Sequence, residues 1–156
     1  MKKEIRKKVY LASGWFSPEQ AADEADLFAI LHNMDFIVFR PKTDNKINID
    51  MSYTNKRQGF QNNINEIKKC DFVLGNISHR DSGTIFEIGY AYKLNKPIIL
   101  VDFLRISNKP NLMLAMCANL GLCTNKQTLI NELCHLKHIP KYSLSQQHNW
   151  YKGETH

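Results

Sequence analysis

The sequence predicts an α/β fold, a doubly wound, mostly parallel sheet of about five strands with helices on both faces. Three observations predict it. Short strand-like apolar runs alternate with stretches of helical period along most of the chain. The run Pro97-Ile-Ile-Leu-Val-Asp102 is apolar throughout, as a central parallel strand covered on both faces must be. The loops richest in polar and aromatic residues all follow strands, and ligands in such sheets sit at the carboxyl ends of the strands.

Taken in order, Lys8-Val-Tyr-Leu-Ala12 reads as the first strand. Pro18 to Asn33 reads as a helix: Pro18 suits its first turn, and Ala22, Ala25, Phe28 and Ala29 give it an apolar face. Phe36-Ile-Val-Phe39 is a second strand, stopped by Arg40-Pro41, and residues 42 to 54 read as a long polar loop. Asn55 to Lys69 is a second helix with Phe60, Ile64 and Ile67 inward. Asp71-Phe-Val-Leu-Gly75 is a third strand, followed by a loop from Asn76 to Arg80 and a helix to about Asn95. Pro97 to Asp102 is the fourth strand. Leu112 to Leu120 and Gln127 to Leu136 read as helices, with a short fifth strand between them only faintly marked. The polar tail, Tyr142 to His156, carries Trp150 and Tyr151. The loops Ser13-Gly-Trp-Phe16, 40–54, Asn76–Asp81 and Phe103–Asn111 are expected to converge on one edge.

The 156 residues predict a single domain, 1–156, large enough to bury a core. No apolar run approaches the roughly 20 residues that span a bilayer, and Val9 to Ser13 is too short for a signal-peptide core. A cytoplasmic protein without a membrane partner is the expectation. The net charge of +6 is spread over several elements instead of being interleaved with aromatics on one surface, so a nucleic-acid polymer is not the expected partner. Cys70, Cys117, Cys123 and Cys134 show no CxxC spacing, and Cys134-His135-x-x-His138 lacks a clear fourth ligand; buried reduced thiols and no metal are expected. The dinucleotide fingerprint, the P-loop and the Gly-x-Ser-x-Gly elbow are all missing.

Glu87 carries the most information. It lies in Asp81-Ser-Gly-Thr-Ile-Phe-Glu87-Ile-Gly-Tyr-Ala, where Asp81 or Ser82 can cap the helix. Gly83, Glu87, Ala91 and Leu94 share one stripe at helical spacing, and that stripe is otherwise small or apolar. A carboxylate turned toward protein is costly unless something pairs with it or uses it. It is either a structural carboxylate bonded to nearby N–H groups or a Tyr, or a reactive one. The early turns of a helix favour its ionised form.

Five pieces, in register from the first strand to about residue 115, resemble the nucleoside 2-deoxyribosyltransferase family. They are Val-Tyr10-Leu-Ala-Ser-Gly14-Trp15-Phe16, Gln61-Asn62-Asn63-Ile-Asn65-x-Ile-Lys68-x-Cys-Asp71, Asp81-Ser-Gly83-Thr-x-Phe-Glu87-Ile-Gly89-Tyr-Ala91, Lys96-Pro97-Ile-Ile-Leu and Asn111-Leu-Met113. Trp150-Tyr151-Lys-Gly153 is similar to the aromatic-Gly tail of some members. The resemblance implies a flavodoxin-like sheet and transfer of 2-deoxyribose between nucleobases, in the service of salvage. It implies that Glu87 is the nucleophile that attacks C1′ of a 2′-deoxynucleoside, that Asp81 is the acid contacting the base, and that Tyr10 donates to Glu87 and fixes its rotamer. It implies substrate binding by Gly14, Trp15, Phe16, Asn45, Asn63, Gly83, Asn111 and Met113, with Asn111 reaching the sugar 5′-hydroxyl in a neighbouring subunit. The partners implied are deoxynucleosides, free nucleobases and further copies of the chain in a dimer-based oligomer with shared sites; no cofactor is implied. The sequence departs from several bacterial members at Asn63, where they carry Asp. A 2′-deoxynucleoside 5′-monophosphate N-glycosidase is the rival enzyme, with Ser78-His79-Arg80 as its phosphate site. A nucleoside-binding module with a structural Glu87 is the rival from outside catalysis.

Overall fold

The computed structural model describes residues 5–45, 50–105 and 110–139. The tail with Trp150 and Tyr151 lies outside them. Five strands are formed: β1 Lys8–Ala12, β2 Ile37–Phe39, β3 Phe72–Asn76, β4 Ile98–Val101 and β5 Gly121–Cys123. All neighbours are parallel, in the order β2-β1-β3-β4-β5. This is the flavodoxin-like order, and its direction switches between β1 and β3, where a crevice opens at the carboxyl ends. The helices are α1 Pro18–Asn33, α2 Pro41–Asp44, α3 Tyr53–Lys69, α4 Ser82–Lys93, α5 Leu112–Cys117 and α6 Lys126–His138.

Alternation along each strand builds two core layers. Val9 and Leu11 of β1 pack with Leu27 and Leu31 of α1 and with Leu129 and Leu133 of α6. Tyr10 and Ala12 point to the other face, against Ile67 of α3 and Ile88 and Ala91 of α4. Side-chain caps begin five of the helices: Ser17 accepts from Gln20 N–H, Ser52 from Asn55, Asp81 from Thr84, Asn111 from Met113 and Asn125 from Thr128. No helix among the described residues is long and apolar enough to cross a membrane.

The expected loop 42–54 is shortened at both ends. Pro41 starts a single helical turn, Pro41–Asp44, and α3 begins at Tyr53 behind its Ser52 cap. Arg40 does more than end β2. Its Nε and Nη2 each lie 2.7 Å from the Glu24 carboxylate, which is 2% exposed, and its guanidinium sits 4.1 Å over the Phe28 ring. The bidentate pair ties the exit of β2 to α1 and satisfies a charge that could not otherwise be buried.

Two small residues let α4 lie close on the sheet. Gly75 of β3 is in register with Ala12 of β1. A Cβ on Gly75 would meet Ile88 Cδ1 at 2.7 Å and Leu100 Cδ2 at 2.8 Å. The helix therefore rests where a side chain would stand, and Glu87, next to Ile88, is brought down to the sheet. Gly75→Ala should force α4 outward, costing about 1–3 kcal/mol as core overpacking does. A urea unfolding series checks this, and a midpoint equal to the parent's would contradict the close approach.

Candidate active site

Tyr10 is the anchor of the site. It stands in the middle of β1, fully buried. Its ring stacks on Phe39 with centroids 5.5 Å apart. Its hydroxyl donates to Glu87 Oε1 at 2.6 Å, the length of a charge-assisted bond. With both ring and hydroxyl held, the bond sets the position of the Glu87 carboxyl and leaves Oε2 without a bond among the described residues.

Glu87 does not sit centrally on the buried stripe. The fully buried residues of α4 are Thr84, Ile88 and Ala91, and Glu87 lies beside them at the margin of a cavity. Burial lifts its carboxyl to about 7; the Tyr10 hydrogen bond opposes that rise and the Asp81 charge adds to it. The expected help from the helix N-terminus does not prevail. Glu87 is the sixth residue of α4 and lies past the first turn, where the dipole effect fades. Burial and the neighbouring carboxylate likewise raise the Tyr10 hydroxyl far above its ordinary value, so it serves only as a donor.

The cavity holds about 410 Å³, within the range of small-molecule sites. The loop after β1 contributes Ser13, Trp15 and Phe16. Trp15 and Phe16 stack on each other at 5.0 Å and present a flat apolar wall. From α3 come Lys56, Phe60, Asn63, Ile64 and Ile67, and from the start of α4 come Asp81, Gly83, Thr84, Phe86 and Glu87. Phe60 is half-exposed, contrary to the inward place its spacing predicts. It meets Phe86 at 5.9 Å along the cavity, a contact between helices that the period of one helix cannot reveal.

Asp81 is the N-cap of α4. Its Oδ2 accepts from Thr84 N–H at 2.7 Å and from Thr84 Oγ1–H at 2.9 Å, which leaves Oδ1 for the cavity. The acid expected here is therefore held by two donors on one oxygen. Gly14 lies under the wall instead of in it: a Cβ there would come within 3.1 Å of Asp81 Cβ and 3.0 Å of Gln20 Oε1. Gln20 Oε1 in turn accepts from Phe16 N–H at 2.9 Å and holds the aromatic loop.

The remaining expected site residues are placed differently. Asn45 does not line the cavity; its amide bonds Gly59 O, Asn62 and Asn63. Asn111 and Met113 stand away from it as well. Asn111 Oδ1 caps α5, and Met113 is 72% exposed. Among their described residues, the loops after β2 and β4 thus add no side chain to the cavity lining. Ser78-His79-Arg80 does not form a phosphate site on the cavity. Ser78 is buried with its Oγ accepting from Phe103 N–H at 3.0 Å, and His79 Nε2 is 2.6 Å from Asp23 Oδ2. Lys56 escaped the sequence reading, because a lysine near a helix start is ordinarily solvated; its position one and two turns before Phe60 and Asn63 was the available signal. Among the described residues, no group of three His, Cys, Asp or Glu side chains could hold a metal.

Known proteins share this architecture. A 2-deoxyribosyltransferase from Bacillus psychrosaccharolyticus superposes with a TM-score of 0.73 at 25% identity, covering 87% of this chain and 99% of that one. A conserved protein from Enterococcus faecalis V583 gives 0.72 at 17% identity, covering 85% and 99%. The CMP N-glycosidase BcmB of Clostridium botulinum gives 0.55 at 20% identity, covering 82% and 99%, and like the Enterococcus protein it supports the fold alone. No curated protein sequence matches the chain significantly. The sequence model named Nucleoside 2-deoxyribosyltransferase matches residues 9–133, from the strand of Tyr10 through most of α6. Because that span covers most of the chain, with all of the sheet but Lys8 and every wall of the cavity, the chain belongs to the nucleoside 2-deoxyribosyltransferase family.

Proposed function

We propose that this protein exchanges nucleobases on 2-deoxyribose, with Glu87 carrying the sugar between them. One observation bears most of the weight: the Glu87 carboxyl faces an aromatic-lined cavity and is held through one oxygen by a buried tyrosine. In the reaction, Glu87 Oε2 attacks C1′ as the bond from C1′ to the base nitrogen breaks. The bonding pair leaves on that nitrogen, which gains a proton. A second base, giving up its N–H proton, then attacks C1′ from the opposite side and releases Glu87, so configuration is retained. The oxocarbenium character of both steps is stabilised by the adjacent carboxylate. Tyr10 fixes the attacking group in place. Asp81 Oδ1 hydrogen-bonds the base and orients it over Glu87, and the proton given up by the incoming base balances, through solvent, the one the departing base takes up. Trp15 and Phe16 give the base a flat surface.

The comparisons support a nucleoside-processing enzyme without choosing between base and water as the acceptor. Incubation of deoxyinosine with free cytosine separates the two. Deoxycytidine and hypoxanthine are expected; hypoxanthine with free deoxyribose alone would replace transfer by hydrolysis. Glu87→Ala should lower kcat by several orders of magnitude, and a variant as active as the parent would remove Glu87 from the reaction.

The ionised form attacks, so kcat should rise with pH along a limb near 7. Tyr10→Phe removes the bond that opposes the rise, so the limb should move to higher pH while kcat falls. A limb left in place in the pH profile of Tyr10→Phe would refute the coupling. Stability carries the opposite sign. The folded value of about 7 lies above the ordinary 4.5, so the folded protein holds this proton more tightly than the unfolded chain does. That contribution is full below pH 4.5 and is lost as pH rises through about 7. Glu87→Gln should take this slope out of a pH series of urea midpoints.

We infer further that the sites are shared between copies in a dimer-based assembly, with Asn111 serving a neighbouring subunit's sugar. Its exposure beside Met113, away from its own cavity, supports that reading. Mixed after dissociation and reassembly, Glu87→Ala and Asn111→Ala proteins should regain activity that neither has alone. Absence of complementation would assign Asn111 to capping only.

A further inference from the structure

The amide of Asn63 is held in one orientation by a chain of bonds with a fixed end. Asn45 Nδ2 lies 2.5 Å from the Gly59 carbonyl oxygen, which can only accept. That settles which end of the Asn45 amide faces α3. The Asn63 atom 2.7 Å from the same Nδ2 must then be an acceptor, and it is Oδ1. Asn45 Oδ1 accepts from Asn62 Nδ2 at 3.2 Å, in agreement. Asn63 lines the cavity, so the group it has left to offer is its NH2.

Lys56, two turns earlier on α3, also lines the cavity and has donors only. No acid among the described residues pairs with it. The other lining residues of α3 are Phe60, Ile64 and Ile67, all apolar. This wall therefore offers mainly donors, its one acceptor, Asn63 Oδ1, being already engaged by Asn45. The facing wall offers the reverse, since Asp81 Oδ2 is taken by Thr84 and Oδ1 is left to accept.

We propose that this division of donors and acceptors selects the base: the cavity prefers an edge that reads acceptor, acceptor, donor. The inference rests on the reading of the cavity as a nucleobase site. A 6-oxopurine presents N7, O6 and N1–H in that order, and cytosine presents O2, N3 and N4–H. Adenine, with N7, N6–H and N1, alternates acceptor, donor, acceptor, and so does uracil. On those two bases a donor is turned toward the donors of α3 or an acceptor toward Asp81, and a polar group loses its partner. Asn45 is a positioning residue in this scheme, acting only through the orientation of Asn63.

The test is binding of free bases, which needs no turnover. Hypoxanthine, adenine, cytosine and uracil are titrated calorimetrically into the Glu87→Gln protein. Hypoxanthine should bind more tightly than adenine, and cytosine more tightly than uracil, each by about tenfold, the worth of one good hydrogen bond. In the same background Asn63→Asp puts an acceptor in place of the donor and should bring both ratios to one or invert them. Asn45→Ala frees the amide to turn and should lower both ratios, and Lys56→Met should lower them in part. Equal binding of the four bases, or ratios unchanged by Asn63→Asp, would overturn the inference. Selective binding without base exchange by the parent protein would instead overturn the reaction and leave the selectivity standing.

Discussion

The site depends on how closely α4 can approach β3. Gly75 leaves room for Ile88, and Ile88 brings Glu87 within reach of Tyr10 across the first two central strands. The geometry is not adjustable by a side-chain rotation. Tyr10 is packed on its ring face by Phe39 and enclosed by the core, so its hydroxyl can occupy only one place. A shift of the helix by the thickness of a methyl group would separate donor from acceptor by more than a hydrogen bond tolerates. The strand order matters for the same reason. β1 and β3 are neighbours although α1, β2 and α3 separate them in sequence, and this adjacency is what sets a residue near position 10 opposite a helix that begins at 82.

Two inward carboxylates show the difference between a charge that holds a fold and one that is available for chemistry. Glu24 is met by two guanidinium nitrogens of Arg40, and the pair is closed off by Phe28. Glu87 receives a single hydroxyl and no cation, and it opens on a cavity. Burial strips it of most of its hydration and no cation among the described residues offsets its charge, which explains the direction of its shift. Among the described residues, the fold leaves this carboxyl with a free oxygen where a cavity can admit a small molecule.

Legibility in the sequence followed the physics of each element. The first strand and first helix end where they were expected, because Ser17-Pro18 and the apolar spacing act locally. The helix that carries Glu87 was equally plain, whereas the order of the strands follows from pairings between distant segments and was available only through the family resemblance. β5 has three residues, too few for alternation to register, and only its pairing with β4 defines it. The turn at Pro41–Asp44 is a single cycle with no period to detect. Phe60 was read as core from the face of its own helix; its real environment is the cavity and Phe86, contributed from a distant segment. Likewise the stripe through Glu87 was right to within one residue around the helix, the margin by which a cavity-lining residue differs from a buried one. Asn45, which the resemblance implies in substrate binding, stands one layer back, behind Asn63, a relation no spacing rule encodes.

Asp81 begins α4 and also faces the cavity, and this double duty bears on how such a site can diverge. A replacement there must still cap the helix that carries Glu87, so the permitted set is narrow: Asn, Ser, Thr or Gly. Asn63 carries no such burden, being held by a side chain from outside its helix. A change to the cavity therefore costs less stability through α3 than through α4, where the mechanics of helix initiation limit what can stand at its entrance.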